Sequence, residues 1–310
     1  MNSEIKQFQV ANNQLKLTVT TSLCTDEEVQ AVIAKLDTQR GVMLTSRYEF
    51  PGRYTKYDIG FSNPPISIEA IDNKLYVEAL NERGQVILPI FLQFISVYDQ
   101  CKVTEQKDTN FVCEIYPIEG NFLEEDRSKM PHVMNVVRHL VKSFSCSGSH
   151  LGFYGIFGYD LGLDFMGVKR IHERHDTRDL VLYFVDELFI TDHEENISTH
   201  ITVEFETTSA STVGKQRSGI EESYIPNDVE ASRDMQKGEY AKLVDVAKES
   251  FACGDLFEVV PSQVFSEPCS ASPSQVFNQL LHVNPAPYGA LINLGKGEWT
   301  ISASPEMFVR

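Results

Sequence analysis

The chain has 310 residues, of which 42% are hydrophobic and 10% aromatic, so it carries ample material for a core and is not a disordered chain. Its length favours two domains over one, because a single core stops growing near this size. A formal net charge of −17 argues against a nucleic-acid or anionic-membrane surface. Any anionic substrate must then be drawn in by a local cluster of basic groups.

In chain order, the first element is a helix opening at Thr25, whose hydroxyl and Glu28 form a capping box. Val29, Val32, Ile33 and Leu36 follow at helical spacing as one apolar stripe. A strand is predicted over 42–45, after Gly41, and a hairpin over 66–71 and 75–80 across Asp72, Asn73 and Lys74. The longest apolar run, residues 86–97, is interrupted by Pro89 and Gln93 and falls short of the roughly 20 residues a membrane span needs. A second helix is predicted over 131–144, burying Val133, Val136, Val137, Leu140, Val141 and Phe144. Residues 180–190 read as one buried strand and 197–205 as a more exposed one.

The polar run 206–235 supplies little to bury and reads as a linker. Domains are therefore placed at 1–205 and 236–310, with 206–235 between them. Beyond it, Tyr240, Leu243, Val244, Ala247 and Phe251 make a helical stripe ending at Gly254, a left-handed cap. Residues 256–265 are strand-like. Ser272, Pro273 and Gln275 start another helix, and 288–294 with 298–303 form a hairpin around Gly295, Lys296 and Gly297. The fold class is α+β: antiparallel sheets with flanking helices, in two domains, without a Gly-rich phosphate loop.

Six cysteines, Cys24, Cys101, Cys113, Cys146, Cys253 and Cys269, contain no C-x-x-C pair, and no signal peptide opens the chain. They read as reduced thiols of a cytoplasmic protein, in which the sequon at Asn196 carries no sugar. His172 and His175 have a spacing that can serve a metal, but the charged residues around them read as a solvated surface. Gly152, Gly155, Gly158 and Gly162 are interleaved with aromatics, and no Lys-Ser/Thr follows. They read as positions where a helix closely approaches a sheet rather than a phosphate site. No G-x-S-x-G or H-E-x-x-H pattern occurs, so these residues alone define no reaction.

Longer strings are more specific. Residues 254–263 (GDLFEVVPSQ), 284–289 (NPAPYG) and 302–310 (SASPEMFVR) occur in that order. Their order and spacing resemble the start of the chorismate-binding domain of the anthranilate synthase component I family. Gly158-Tyr159-Asp160 and residues 178–183 (RDLVLY) look like that family's N-terminal domain. Residues 48–61 (YEFPGRYTKYDIGF) are similar to the form in which synthase and glutaminase share one polypeptide.

The resemblance implies conversion of chorismate and glutamine-derived ammonia to anthranilate and pyruvate, with Mg²⁺ as cofactor and a glutamine amidotransferase domain or subunit as partner. A Lewis acid on the substrate carboxylate would stabilise the charge that develops as the allylic hydroxyl leaves. The family's metal ligands and catalytic residues are expected beyond Arg310, so the resemblance transfers none to this chain, which is expected to be a C-terminally truncated fragment that makes no anthranilate alone. Glu306 reads as a helix-terminus charge. The resemblance also implies an L-tryptophan feedback site at Ser46, Pro287, Tyr288 and Gly289, with Thr45 where the family has glutamate. Rival readings are an aminodeoxychorismate or aminodeoxyisochorismate synthase, and a non-catalytic amino-acid-binding module.

Overall fold

Strands that bury one or both faces, together with a few amphipathic helices, build the described chain. The computed structural model describes residues 3–47, 56–98, 100–116, 131–146, 149–165, 177–226 and 229–306. Strands β1 (Glu4–Val10) and β2 (Leu15–Leu23) form a hairpin through the positive-φ residues Ala11, Asn12 and Asn13. Helix α1 (Asp26–Lys35) follows with its capping box complete and Val29, Val32 and Ile33 buried. Then come β3 (Gly41–Thr45), β4 (Tyr57–Ser62), β5 (Ile66–Ile71) and β6 (Lys74–Ala79).

Helix α2 (Glu82–Ser96) contains most of the apolar run seen in sequence. The Asn81 side chain accepts from the N–H groups of Arg83 and Gly84, which fixes its start. Gly84 is required there, since a Cβ would lie 2.0 Å from the Pro65 carbonyl oxygen. Strands β7 (Cys101–Gln106) and β8 (Asn110–Ile115), helix α3 (Val133–Phe144), β9 (Phe153–Phe157) and α4 (Tyr159–Phe165) continue the chain. Next are β10 (Leu180–Phe184), β11 (Glu187–Asp192) and β12 (Ile197–Glu206). Helix α6 (Pro273–Val283), β15 (Tyr288–Gly295) and β16 (Glu298–Ser304) close the described chain.

Two antiparallel sheets result, with strand orders β1-β2-β12-β11-β4-β3-β15-β16 and β7-β8-β6-β5-β10-β9. Their main core is continuous and includes α2 and α3, where Phe91 stacks on Phe144 at 4.4 Å and both meet Phe184 edge-on. A second apolar cluster joins Val29, Val32, Ile33 and Leu36 to Met43, Phe277 and Leu291. It seats α1 and α6 over one face of β3 and β15. The α+β class and its antiparallel sheets are as the sequence predicts.

Residues 1–223 and 273–310 make one compact unit and 224–272 a second. Within the second, helix α5 (Glu239–Cys253) lies between Gly238 and Gly254, both left-handed, and buries none of its side chains. Strands β13 (Ser232–Arg233) and β14 (Phe265–Ser266) form its short ribbon. In the first unit, the polar stretch after β12 folds back: Thr212 is fully buried and its hydroxyl accepts from the Phe205 N–H at 2.8 Å.

Several local expectations change. Residues 180–190 are two strands in different sheets, because the chain crosses at Asp186, a buried carboxylate paired with Arg83 and Arg217. Val141 is exposed, on the solvent side of α3. Only Phe265 and Ser266 of the 256–266 region are strand. Gly155 does allow close approach, with a would-be Cβ 2.0 Å from the Val181 carbonyl oxygen, but the partner is the neighbouring strand and not a helix. Gly152 and Gly162 face open space.

Candidate functional site

Strand β3 pairs with β15 so that Thr45 stands opposite Gly289, and the Arg47 N–H donates to the Ala286 carbonyl at 3.1 Å. Residues far apart in sequence, Ser46 on one side and Pro287, Tyr288 and Gly289 on the other, are thereby brought together. Helix α6 ends where Asn284 donates to the Leu280 carbonyl, and the turn containing Pro285 and Pro287 feeds directly into β15. Pro287 and Gly289 are buried and Tyr288 is half-buried.

Glycine at 289 is dictated by Thr45: a Cβ there would lie 2.5 Å from Thr45 Oγ1 and 3.4 Å from Leu281. Thr45 is 3% exposed, and its Oγ1 has no hydrogen-bond partner among the described residues. A buried hydroxyl left without a partner carries a desolvation cost.

Beside it lies a charged cluster. Asp58, on β4, is fully buried. Its Oδ1 accepts from the Ser46 N–H at 3.0 Å, and its Oδ2 accepts from Gln30 Nε2 at 3.2 Å and lies 2.9 Å from Arg47 Nη2. His193 Nε2 is 3.1 Å from Oδ1, without the alignment of a hydrogen bond. At the start of α1, Asp26 accepts from the Ser198 hydroxyl and, at 3.2 Å, from Thr191 Oγ1. The Ser198 contact, followed by that of Thr191 and the nearby His193 and Arg47, holds its carboxyl below the usual range against the opposing effect of burial.

Sequence reasoning placed Ser46, Pro287, Tyr288 and Gly289 but assigned no role to Asp58, Arg47 or Gln30. The available signal was a single carboxylate within the otherwise uncharged strand β4, which needs partners if its position is buried. The remaining sequence candidates give no second centre. Glu306 is exposed and its N–H donates to Ser304 Oγ at 3.4 Å. His172 and His175, most of residues 48–61, and Met307 to Arg310 lie outside the described residues. Among the described residues, no three His, Cys, Asp or Glu side chains form a group that could hold a metal ion. All six cysteines are free thiols. No helix of the described residues is long and apolar enough to cross a membrane.

Two antiparallel sheets with flanking helices are accompanied by a direct family match. The model described as chorismate binding enzyme matches residues 75–310, and the chain belongs to that family. It is similar to the anthranilate synthase of Azospirillum brasilense, 39% identical over 296 residues that cover 94% of this chain and 40% of that protein. It is also similar to anthranilate synthase component 1 of Buchnera aphidicola subsp. Pemphigus spyrothecae, 25% identical over 78% of this chain and 48% of that protein. The component 1 of Geobacillus stearothermophilus is 27% identical over 56% of this chain and 39% of that protein. The chain spans about two-fifths to one-half of the length of these relatives.

Proposed function

We propose that this chain is part of an anthranilate synthase component I: a lyase that converts chorismate and glutamine-derived ammonia to anthranilate, pyruvate and water for tryptophan biosynthesis. The observation that carries the proposal is the 39% identity to the Azospirillum brasilense anthranilate synthase across 94% of this chain. A glutamine amidotransferase domain or subunit is the proposed source of ammonia, and Mg²⁺ the proposed cofactor. Metal ligands and chorismate contacts are assigned to the part of the relatives' length that this chain does not span. The proposed location is cytoplasmic, in keeping with six free thiols.

The role proposed for the residues here is regulatory. Ser46, Pro287, Tyr288 and Gly289 form a pocket for L-tryptophan: Ser46 holds the amino-acid head group, and Pro287 and Tyr288 contribute ring surface. Supporting this reading, the β3–β15 pairing sets these residues side by side and Thr45 Oγ1 is buried without a partner. Threonine at 45 removes a carboxylate from β3, so feedback strength is proposed to depend on other charges nearby.

Product analysis of the full-length protein tests the reaction. Incubation with chorismate, glutamine and Mg²⁺ is expected to give anthranilate and pyruvate in equal amounts. A product that keeps the enolpyruvyl group would instead identify an aminodeoxychorismate-type or aminodeoxyisochorismate-type synthase.

A further inference from the structure

Strand register sets a fully buried carboxylate beside Ser46. Met43 pairs with Gly60 and Leu44 with Ile59, so one residue further the same register sets Asp58 opposite Thr45, which is itself opposite Gly289. Opposed residues of an antiparallel pair point to one face, so Asp58, Thr45 and Gly289 form a row across three strands. At the end of that row, Asp58 draws donors from two directions: Gln30 on α1, and Ser46 with Arg47 at the end of β3. His193, from the turn after β11, faces the same carboxylate.

A fully buried carboxylate must be compensated by donors and charge, and this one uses both oxygens for that. The same contacts fix the backbone at Ser46 from one side, while the Arg47 N–H to the Ala286 carbonyl fixes it from the other. The conformation of Ser46 is therefore set between Asp58 and the turn that carries Pro287.

We propose that Asp58 is the positioning residue of the amino-acid pocket: from β4 it orients Ser46 through the Ser46 N–H and through Arg47. The ligand class is a free zwitterionic amino acid with an aromatic side chain, and the assignment rests on the pocket reading given above. Asp58 acts through Ser46 and Arg47 and, being fully buried, makes no contact with the ligand itself.

A double-mutant cycle on the full-length protein tests this, with L-tryptophan affinity read by calorimetry. Loss of a charge-assisted hydrogen bond corresponds to roughly a tenfold to hundredfold change in affinity. Asp58→Ala is expected to weaken binding by about that factor. Asp58→Asn, which keeps an acceptor for the Ser46 N–H, is expected to recover part of the loss. In a Ser46→Ala background, Asp58→Ala should change affinity less than about twofold, because the group it orients is gone. Equal loss in both backgrounds, or wild-type affinity in Asp58→Ala, would overturn the assignment. Should Asp58→Ala fail to fold, Arg47→Gln and Gln30→Ala, which leave the carboxylate in place, are expected to weaken binding several-fold, and unchanged affinity in both would overturn it equally. No binding by the unsubstituted protein is a separate result, and it refutes the pocket reading itself.

Discussion

The hydroxyl of Tyr183 on β10 donates to the backbone carbonyl of Asn293 on β15 at 2.9 Å, a buried hydrogen bond spanning 110 residues of sequence. It ties the six-stranded sheet to the eight-stranded one at the strand that also carries Gly289. Burial pushes the Tyr183 phenol well above its ordinary range, so the group remains a donor through all neutral and mildly alkaline conditions. Asn293 extends the tie, donating from Nδ2 to the Leu36 carbonyl at 3.0 Å, where Trp299 Nε1 also donates at 2.8 Å. Tyr183→Phe is expected to lower stability by about 1 to 2 kcal/mol in urea denaturation, with an unchanged denaturant slope.

Arg178 makes a neighbouring cross-link. Its Nη1 donates to Glu69 and to the Leu294 carbonyl, both at 2.9 Å, and its Nη2 donates to Glu298 at 2.5 Å. Both Arg178 and Glu69 are almost fully buried, so removing the guanidinium leaves Glu69 with Lys296, 2.5 Å from its other oxygen, as its remaining cation. Arg178→Met is expected to cost about 1 to 3 kcal/mol, limited by the Lys296 contact that Glu69 keeps, and Arg178→Met with Lys296→Met should cost more than the sum of the two, as read by chemical denaturation. Arg178→Lys cannot reproduce the fork that serves two carboxylates and a carbonyl, so it should rescue poorly.

Asp26 predicts the direction of a pH effect. Its folded-state carboxyl is held below the ordinary range, chiefly by the Ser198 hydroxyl. The stability it contributes is therefore complete above the unfolded-state value and is lost as pH falls through the folded one. Asp26→Asn is expected to lower the melting temperature at neutral pH and to converge with wild type in acid below the carboxylate range. Parallel melting curves at every pH would contradict this.

The thiols should react in a defined order. Cys253 and Cys269 are exposed, whereas Cys101, Cys113 and Cys146 are buried. Cys24 is intermediate, and burial, together with Glu28 and Asp26, pushes its thiol up to about 11, leaving little thiolate at neutral pH. Timed alkylation read by mass spectrometry is expected to label Cys253 and Cys269 first and Cys24 slowly. The three buried thiols should react only in denaturant.

Much of the fold was legible where local rules decide it. The Thr25 capping box, the β5–β6 hairpin and the Pro273 helix start all depend on residues within a few positions of one another. Residues 180–190 were misread because their apolar run is continuous through a change of sheet, which is set by Asp186 meeting Arg83 about a hundred residues away. Helix α2 was hidden by Pro89 within its interior and by a cap, Asn81, that lies outside the apolar run. The proposed site residues Ser46, Pro287, Tyr288 and Gly289 were reached through family resemblance, because the pairing that brings them together spans most of the chain. Asp58 was not, since a lone aspartate in a strand declares its burial only when the neighbouring strands are in place.

The most direct measurement of the central claim is titration of the full-length protein with L-tryptophan, followed by calorimetry and repeated with Ser46→Ala. A pocket built by β3 and β15 predicts saturable binding at one site per chain, weakened about tenfold or more but still measurable in the variant, while its melting temperature stays near wild type. Binding that persists undiminished in Ser46→Ala, or no detectable binding at millimolar ligand, would contradict it.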